Sequence, residues 1–172
     1  MARLRKFVAY RGLERPYTRA SKYKKQNFVR AVPHNTIVRY EMGDPKAKFD
    51  TTLNLISGAG IQIRHNAIES ARQTTNKLLE TSLGKNEYFF KIMMYPFHVL
   101  RENPLASGAG ADRMSTGMKK SFGKPIGLAA QVRPGKILMQ VKVNKKNLAT
   151  AKKALKRASQ KLPCSCKIII AS

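Results

Sequence analysis

From Thr36 onward the hydrophobic positions of this chain fall into short, punctuated runs. Ile37 to Tyr40 reads as a short strand, and Gly43-Asp44-Pro45 as a turn. Phe49 to Ile56 alternates loosely and reads as a second strand, closed by Ser57-Gly58-Ala59-Gly60. Ile61 to Ile63 is a third extended piece. A helix follows. Asn66 is placed to cap it, with Glu69 at capping-box spacing. Ile68, Ala71, Thr75, Leu78, Leu79 and Ser82 then share one helical face, and Gly84 supplies a C-terminal stop. The opposite face, with Arg72, Gln73, Asn76 and Lys77, reads as solvated.

Glu87 to Tyr95 is β-rich, Pro96 interrupts it, and Phe97 to Arg101 resumes the strand. Ile126 to Val132 and Ile137 to Val143 read as paired strands around the turn Arg133-Pro134-Gly135-Lys136. A last helix is predicted from about Lys145 to Lys161, with Leu148, Ala151, Leu155, Ala158 and Leu162 facing inward. Pro163 ends it, and Cys164 to Ala171 forms a final strand. The order predicts an α+β fold with two helices packed on one side of a mainly antiparallel sheet.

Two stretches escape this patterning. Residues 1–30 show no period and read as a basic N-terminal arm, leaving 31–172 as a single α+β domain. Asn103 to Pro125 is long, rich in glycine and without a periodic core, and loops of that length in a compact domain are usually functional or disordered.

Charge sharpens the picture. The 172 residues carry 34 Lys and Arg against 9 Asp and Glu, a net charge of +25. It is unevenly spread: no carboxylate follows Asp112, and Glu14 is the one acid in the first 30 residues. One sign concentrated at both ends suits a polyanion. On the arm, Arg3, Arg5, Lys6, Arg11, Arg15, Arg19, Lys22, Lys24 and Lys25 are candidate phosphate contacts. Phe7, Tyr10, Tyr17, Tyr23 and Phe28 lie between them. Each ring either stacks on an unpaired base or anchors the arm to its own domain. On the last helix, Lys152, Lys153, Lys156 and Arg157 have no acid at i, i+4, and a phosphate surface would relieve their repulsion. No apolar run approaches the ~20 residues of a membrane span, and Met1 to Arg30 lacks the apolar core of a secretory signal, so a cytoplasmic protein is expected.

Catalytic chemistry finds little support. Gly58-Ala59-Gly60 and Gly108-Ala109-Gly110 lack the third glycine of a dinucleotide fingerprint, since Ile63 and Arg113 stand at its position. His34, His65 and His98 are scattered; His98 reads as a packed or RNA-touching strand residue and His65 as a surface residue before the helix. Cys164 and Cys166 are too few for a closed zinc site and read as two reduced thiols on one face of a strand. No metal, no cofactor and no enzymatic activity are expected.

One set of motifs is specific. Tyr95-Pro96-Phe97-His98-Val99-Leu100-Arg101 is followed by Ser107-Gly108-Ala109-Gly110-Ala111-Asp112-Arg113-Met114, by Thr116-Gly117-Met118, and by Phe122-Gly123-Lys124-Pro125 with Gly127. These segments, with Arg64 to Asn76 and Arg133 to Leu138, resemble the universal large-subunit ribosomal protein L-sixteen family, in its archaeal and eukaryotic branch L-ten-e. The likeness covers nearly the whole chain, and the chain matches the shorter archaeal form. It implies an α/β hammerhead and a structural role in the large ribosomal subunit, bound to its rRNA near the peptidyl-transferase centre and neighbouring ribosomal proteins. It further implies that Asn103 to Pro125 reaches toward tRNA, with Gly108, Gly110, Arg113, Ser115, Gly117, Lys119, Lys120 and Lys124 at the tRNA-proximal surface. Asp112 beside Arg113 would orient its guanidinium. A general architectural nucleic-acid binder would share the charge but not the folded core with one long loop; an RNA-modifying enzyme would need a cofactor site.

Overall fold

Thr51–Ser57 (β2) buries every second side chain, Thr51, Leu53, Leu55 and Ser57, the period of a strand with one covered face. In the computed structural model, which describes residues 5–103, 108, 117 and 123–171, β2 lies inside a five-stranded sheet. Its neighbours are β7 (Ile137–Val143) and β8 (Cys166–Ala171), with β4 (Tyr88–Ile92) beyond β7 and β1 (Glu41–Gly43) at the far edge. A second sheet has three strands in the order β3 (Ile61–Arg64), β6 (Lys124–Val132) and β5 (His98–Glu102). Every pairing within these two sheets is antiparallel.

Helix α1 (His65–Leu83) and helix α2 (Leu148–Ser159) pack on each other; α2 lies on the five-stranded sheet and α1 touches strands of both. The main core joins them: Leu53, Leu55, Phe90, Met139 and Val141 meet Ile68, Ala71, Leu79, Ala151, Leu155 and Ala158. Full burial of each larger apolar side chain contributes about 1.5–3 kcal/mol before entropy is subtracted. The α+β class with two helices against antiparallel β-structure is therefore the observed fold.

Several details depart from expectation. The sheet is two sheets, and the strands flanking Arg133–Lys136 do not pair with each other. Both edges of β6 are occupied by β3 and β5, and both edges of β7 by β4 and β2. The turn instead hands the chain from one sheet to the other: Gly135 N–H donates to Ser57 O at 2.8 Å, and Ser57 N–H to Lys136 O at 3.0 Å. Ile37 to Tyr40 is not a strand; the nearby strand is Glu41–Gly43.

At the start of α1 the capping box does not form. Arg64 occupies the N-cap position, and Asn66 Oδ1 accepts a bond from Ala67 N–H. Glu69 is engaged elsewhere, accepting a fork from Arg72 (Nη2–Oε1 2.7 Å, Nε–Oε2 2.8 Å) and bonds from Gln73 Nε2 and the Val38 N–H. A charged bidentate pair outcompetes one backbone amide. Gly84 does end the helix, at φ +84°, with its N–H bonded to Glu80 O. The last helix begins later than expected, after a single 3-10 turn at Lys145–Asn147, and the last strand begins at Cys166.

Candidate nucleic-acid interface

Gln62 is a polar residue between two isoleucines in β3, and it is buried. A buried amide needs partners, and the N-terminal segment supplies them. Gln62 Nε2 donates to Tyr10 O (3.0 Å) and Gly12 O (2.6 Å), while its backbone N–H donates to Arg11 O (3.1 Å). Gln131, its register partner on β6, donates to Gln62 Oε1 and to Glu14 O (2.7 Å). On β5, His98 Nδ1 accepts from Tyr17 N–H at 2.8 Å, and Val99 N–H donates to Tyr17 O. Residues 10–17 thus cross the three-stranded sheet from β3 to β5 and occupy backbone groups on both outer strands.

The aromatic rings of this segment divide by role. Tyr10 is buried against Leu100 and Ala129. Tyr17 and Val29 pack with Val99 and Leu128, residues whose alternation places them on the opposite face. Phe7 packs against the main core. These rings anchor the arm. Tyr23 and Phe28 are 61% and 53% exposed, and Arg19 lies 4.6 Å from the Phe28 ring centroid. Lys22 Nζ lies 5.2 Å from the Tyr23 ring centroid, and both rings keep exposed surface for stacking.

Backbone hydrogen bonds and these buried rings carry the arm's attachment, and most of its cationic side chains are left at the surface. Arg5, Lys6, Arg11, Arg15, Arg19, Lys22, Lys24 and Lys25 are all exposed; Arg3 lies outside the described residues. Arg5 also forms an ion pair with Glu102 (2.6 Å). Arg64 and Arg101, which the charge pattern did not single out, add to this surface. Arg64 sits 4.7 Å over Tyr10 and donates to Arg5 O, and Arg101 sits 3.7 Å over Tyr17. Burial pushes the Arg64 guanidinium down and the Tyr10 phenol up from their ordinary values; the guanidinium stays charged at neutral pH. Their signal in the sequence is an arginine at the end of each of two apolar strands.

The β5–β6 ladder carries the long loop at its end, where Glu102 pairs with Lys124. Gly123 fits closely against this ladder: a Cβ there would lie 2.6 Å from the Glu102 carbonyl carbon. Lys124, Gly108 and Gly117 are exposed, the two glycines at φ +117° and +80°. Gly110, Arg113, Ser115, Lys119 and Lys120, with Asp112, lie outside the described residues.

A second basic surface is the outer side of α2. Ala151, Ala154, Leu155 and Ala158 turn inward, which leaves Lys152, Lys153, Lys156 and Arg157 exposed on a helix without a carboxylate. Arg157 and Lys77 flank a groove between the two helices, floored by Leu78. Among the described residues no cluster of three His, Cys, Asp or Glu could hold a metal, and no helix is long and apolar enough to cross a membrane. His98 is buried in its strand, and His65 is the first residue of α1, half-buried, its pKa lowered by burial and by His34.

Comparison with known proteins adds independent findings. A family model described as ribosomal protein L16p/L10e matches residues 18–169. The large ribosomal subunit protein uL16 of Methanococcus maripaludis is 45% identical over 167 residues, 97% of this chain and 94% of that protein. The protein of the same name from Staphylothermus marinus is 46% identical over 147 residues, 86% of this chain and 84% of its own length. That of Archaeoglobus fulgidus is 41% identical over 161 residues, covering 94% and 89%.

Proposed function

The chain belongs to the ribosomal protein L16p/L10e family, and from that premise we propose how this large-subunit constituent meets RNA. Its role in translation is structural, not enzymatic. Large-subunit rRNA binds two basic surfaces, the arm from Arg5 to Lys25 and the outer face of α2. The expected loop ends earlier than Pro125, because Lys124 and Pro125 already belong to β6; the segment between Asn103 and Lys124, held at its base by the β5–β6 ladder, extends toward the peptidyl-transferase centre and helps position tRNA. Its partners are rRNA, tRNA and neighbouring large-subunit proteins in the cytoplasmic ribosome.

One observation carries this reading. The arm is fastened through its own carbonyls to Gln62 and Gln131, which leaves its exposed arginines and lysines, apart from Arg5 in its ion pair with Glu102, for phosphates. Phosphate contacts position a protein on RNA, and such contacts make binding strongly salt-dependent. The exposure of Tyr23 and Phe28 supports stacking on unpaired bases.

The test is sedimentation of the tagged chain through a high-salt gradient. Stoichiometric retention in large subunits is expected. Release to light fractions, or association with bulk nucleic acid, would favour a general architectural binder instead.

A further inference from the structure

Cys164 and Cys166 are not two thiols along one strand. Cys164 lies in the bend after Pro163, and Cys166 opens β8. Their sulfurs come within 3.7 Å of each other. Ser57 Oγ stands 3.7 Å from Cys164 Sγ, and Ser57 is the register partner of Cys166. The residue between the cysteines is clamped. Gly58 N–H donates to Ser165 O at 2.8 Å, and a Cβ at Gly58 would lie 2.6 Å from Ser165 Oγ. Both thiols are half-buried and pack partly against the main core, Cys164 just before and Cys166 at the start of the outermost strand of the five-stranded sheet.

We propose that Cys164 and Cys166 form a thiol–disulfide exchange site that closes to an intramolecular disulfide at the expense of a low-molecular-weight disulfide. The sulfurs need to approach from 3.7 Å to the ~2.05 Å of a covalent bond. The bend at Cys164 provides that movement without breaking the β2–β8 ladder, whose first pair is Ser57 with Cys166.

The two thiols have different roles. The Cys166 S–H, with help from Ser57, stabilises a thiolate on Cys164 and lowers its pKa to about 6. The same contact pushes Cys166 up, so it keeps its proton. Cys164 thiolate attacks one sulfur of the incoming disulfide; that S–S bond breaks and one thiolate leaves. Cys164 is now in a mixed disulfide and no longer raises Cys166. Cys166 passes its proton to the departed thiolate and attacks Cys164 Sγ, expelling the second thiolate. Two cysteine sulfurs are oxidised, and one disulfide is reduced to two thiols. The chemistry is independent of which RNA the protein binds.

The test equilibrates the full-length chain, and large subunits containing it, in graded ratios of oxidised to reduced glutathione. Acid trapping, alkylation and intact-mass measurement follow. The expected product has lost two hydrogens, retains no glutathione and maps to a Cys164–Cys166 link. Half-conversion of the native chain should need about tenfold less oxidised glutathione than the urea-unfolded chain. Equal ratios for native and unfolded chain, or a native product that stays glutathionylated, would overturn the proposal. Cys166→Ser should stop at a glutathione adduct on Cys164, and Cys164→Ser should react about tenfold more slowly. Equal rates for the two variants would remove the assigned order of attack. If either variant fails to fold, the native-against-unfolded comparison decides by itself.

Discussion

Tyr10 shows how a single side chain changes the meaning of a segment. Its ring is 3% exposed, under Arg64 and against Leu100 and Ala129. Tyr10→Ala should cost about 3 kcal/mol, in line with other large buried rings, and lower the urea midpoint of the RNA-free protein. An unchanged midpoint would mean that the arm is only an RNA ligand. Glu69 makes a second prediction. The Arg72 guanidinium, with Gln73 and the Val38 amide, holds its carboxyl below the ordinary range against the opposing effect of burial. Its folded value lies under its unfolded one, so the pair stabilises the fold above the unfolded carboxylate pKa. That contribution fades as the pH falls through the depressed folded value. Glu69→Ala leaves Arg72 largely buried without its partner and should cost about 3 kcal/mol at neutral pH, with the difference from the native protein shrinking in acid. A constant difference across that range would refute the assignment. Neither role was legible in the letters. Tyr10 is one aromatic among five on an aperiodic arm, and the spacing of Asn66 and Glu69 suggested a cap while a nearer arginine took the carboxylate.

At the scale of elements, the helices were legible because burial imposes a period of about 3.6. The inward stripe of α2 agrees with the structure at Ala151, Leu155, Ala158 and Leu162. Strand partners were not legible. A period of two tells which face is covered, not which edge is free, so β6 and β7 looked like a hairpin although each already has two neighbours. The same inward stripe leaves the outer face of α2 with four cations and no carboxylate. Replacing Lys152, Lys153, Lys156 and Arg157 by Ala should leave thermal unfolding of the RNA-free protein nearly unchanged. It should weaken rRNA binding and flatten its log–log salt dependence by up to about 0.7–0.9 for each phosphate that is no longer neutralised. Weaker binding with an unaltered salt slope would assign the effect to helix distortion instead.

For the whole molecule, the division of labour is between a core assembled from both helices and both sheets and basic surfaces attached to it. The aperiodic stretch expected to form a long loop leaves from a defined ladder, where Glu102 on β5 pairs with Lys124 on β6. Deleting residues 107–120 should preserve a single cooperative unfolding transition, since that segment lies outside the periodic apolar pattern of the sequence and the core among the described residues is built from other segments. In subunits carrying only the deleted form, tRNA accommodation or peptide-bond formation should be impaired. Normal translation by such subunits would contradict the position proposed for the loop. What the sequence concealed at this scale is the arm's second role. Its carbonyls complete the hydrogen bonding of the buried Gln62, and a charge pattern says nothing of carbonyls.

The position of β2 also bears on how the protein is made. It pairs on one side with β7 and on the other with β8, joining Thr52 to Lys142 and to Ala171. During vectorial synthesis β2 leaves the translating ribosome long before either partner exists. Its edge for β7 stays open while about half the chain is added and its edge for β8 for longer still, and pairings so distant in sequence form slowly. The nascent protein is therefore vulnerable to strand-to-strand aggregation for most of its synthesis. Its cationic side chains repel one another throughout that interval, so the charge proposed to engage RNA first serves to keep incomplete copies apart.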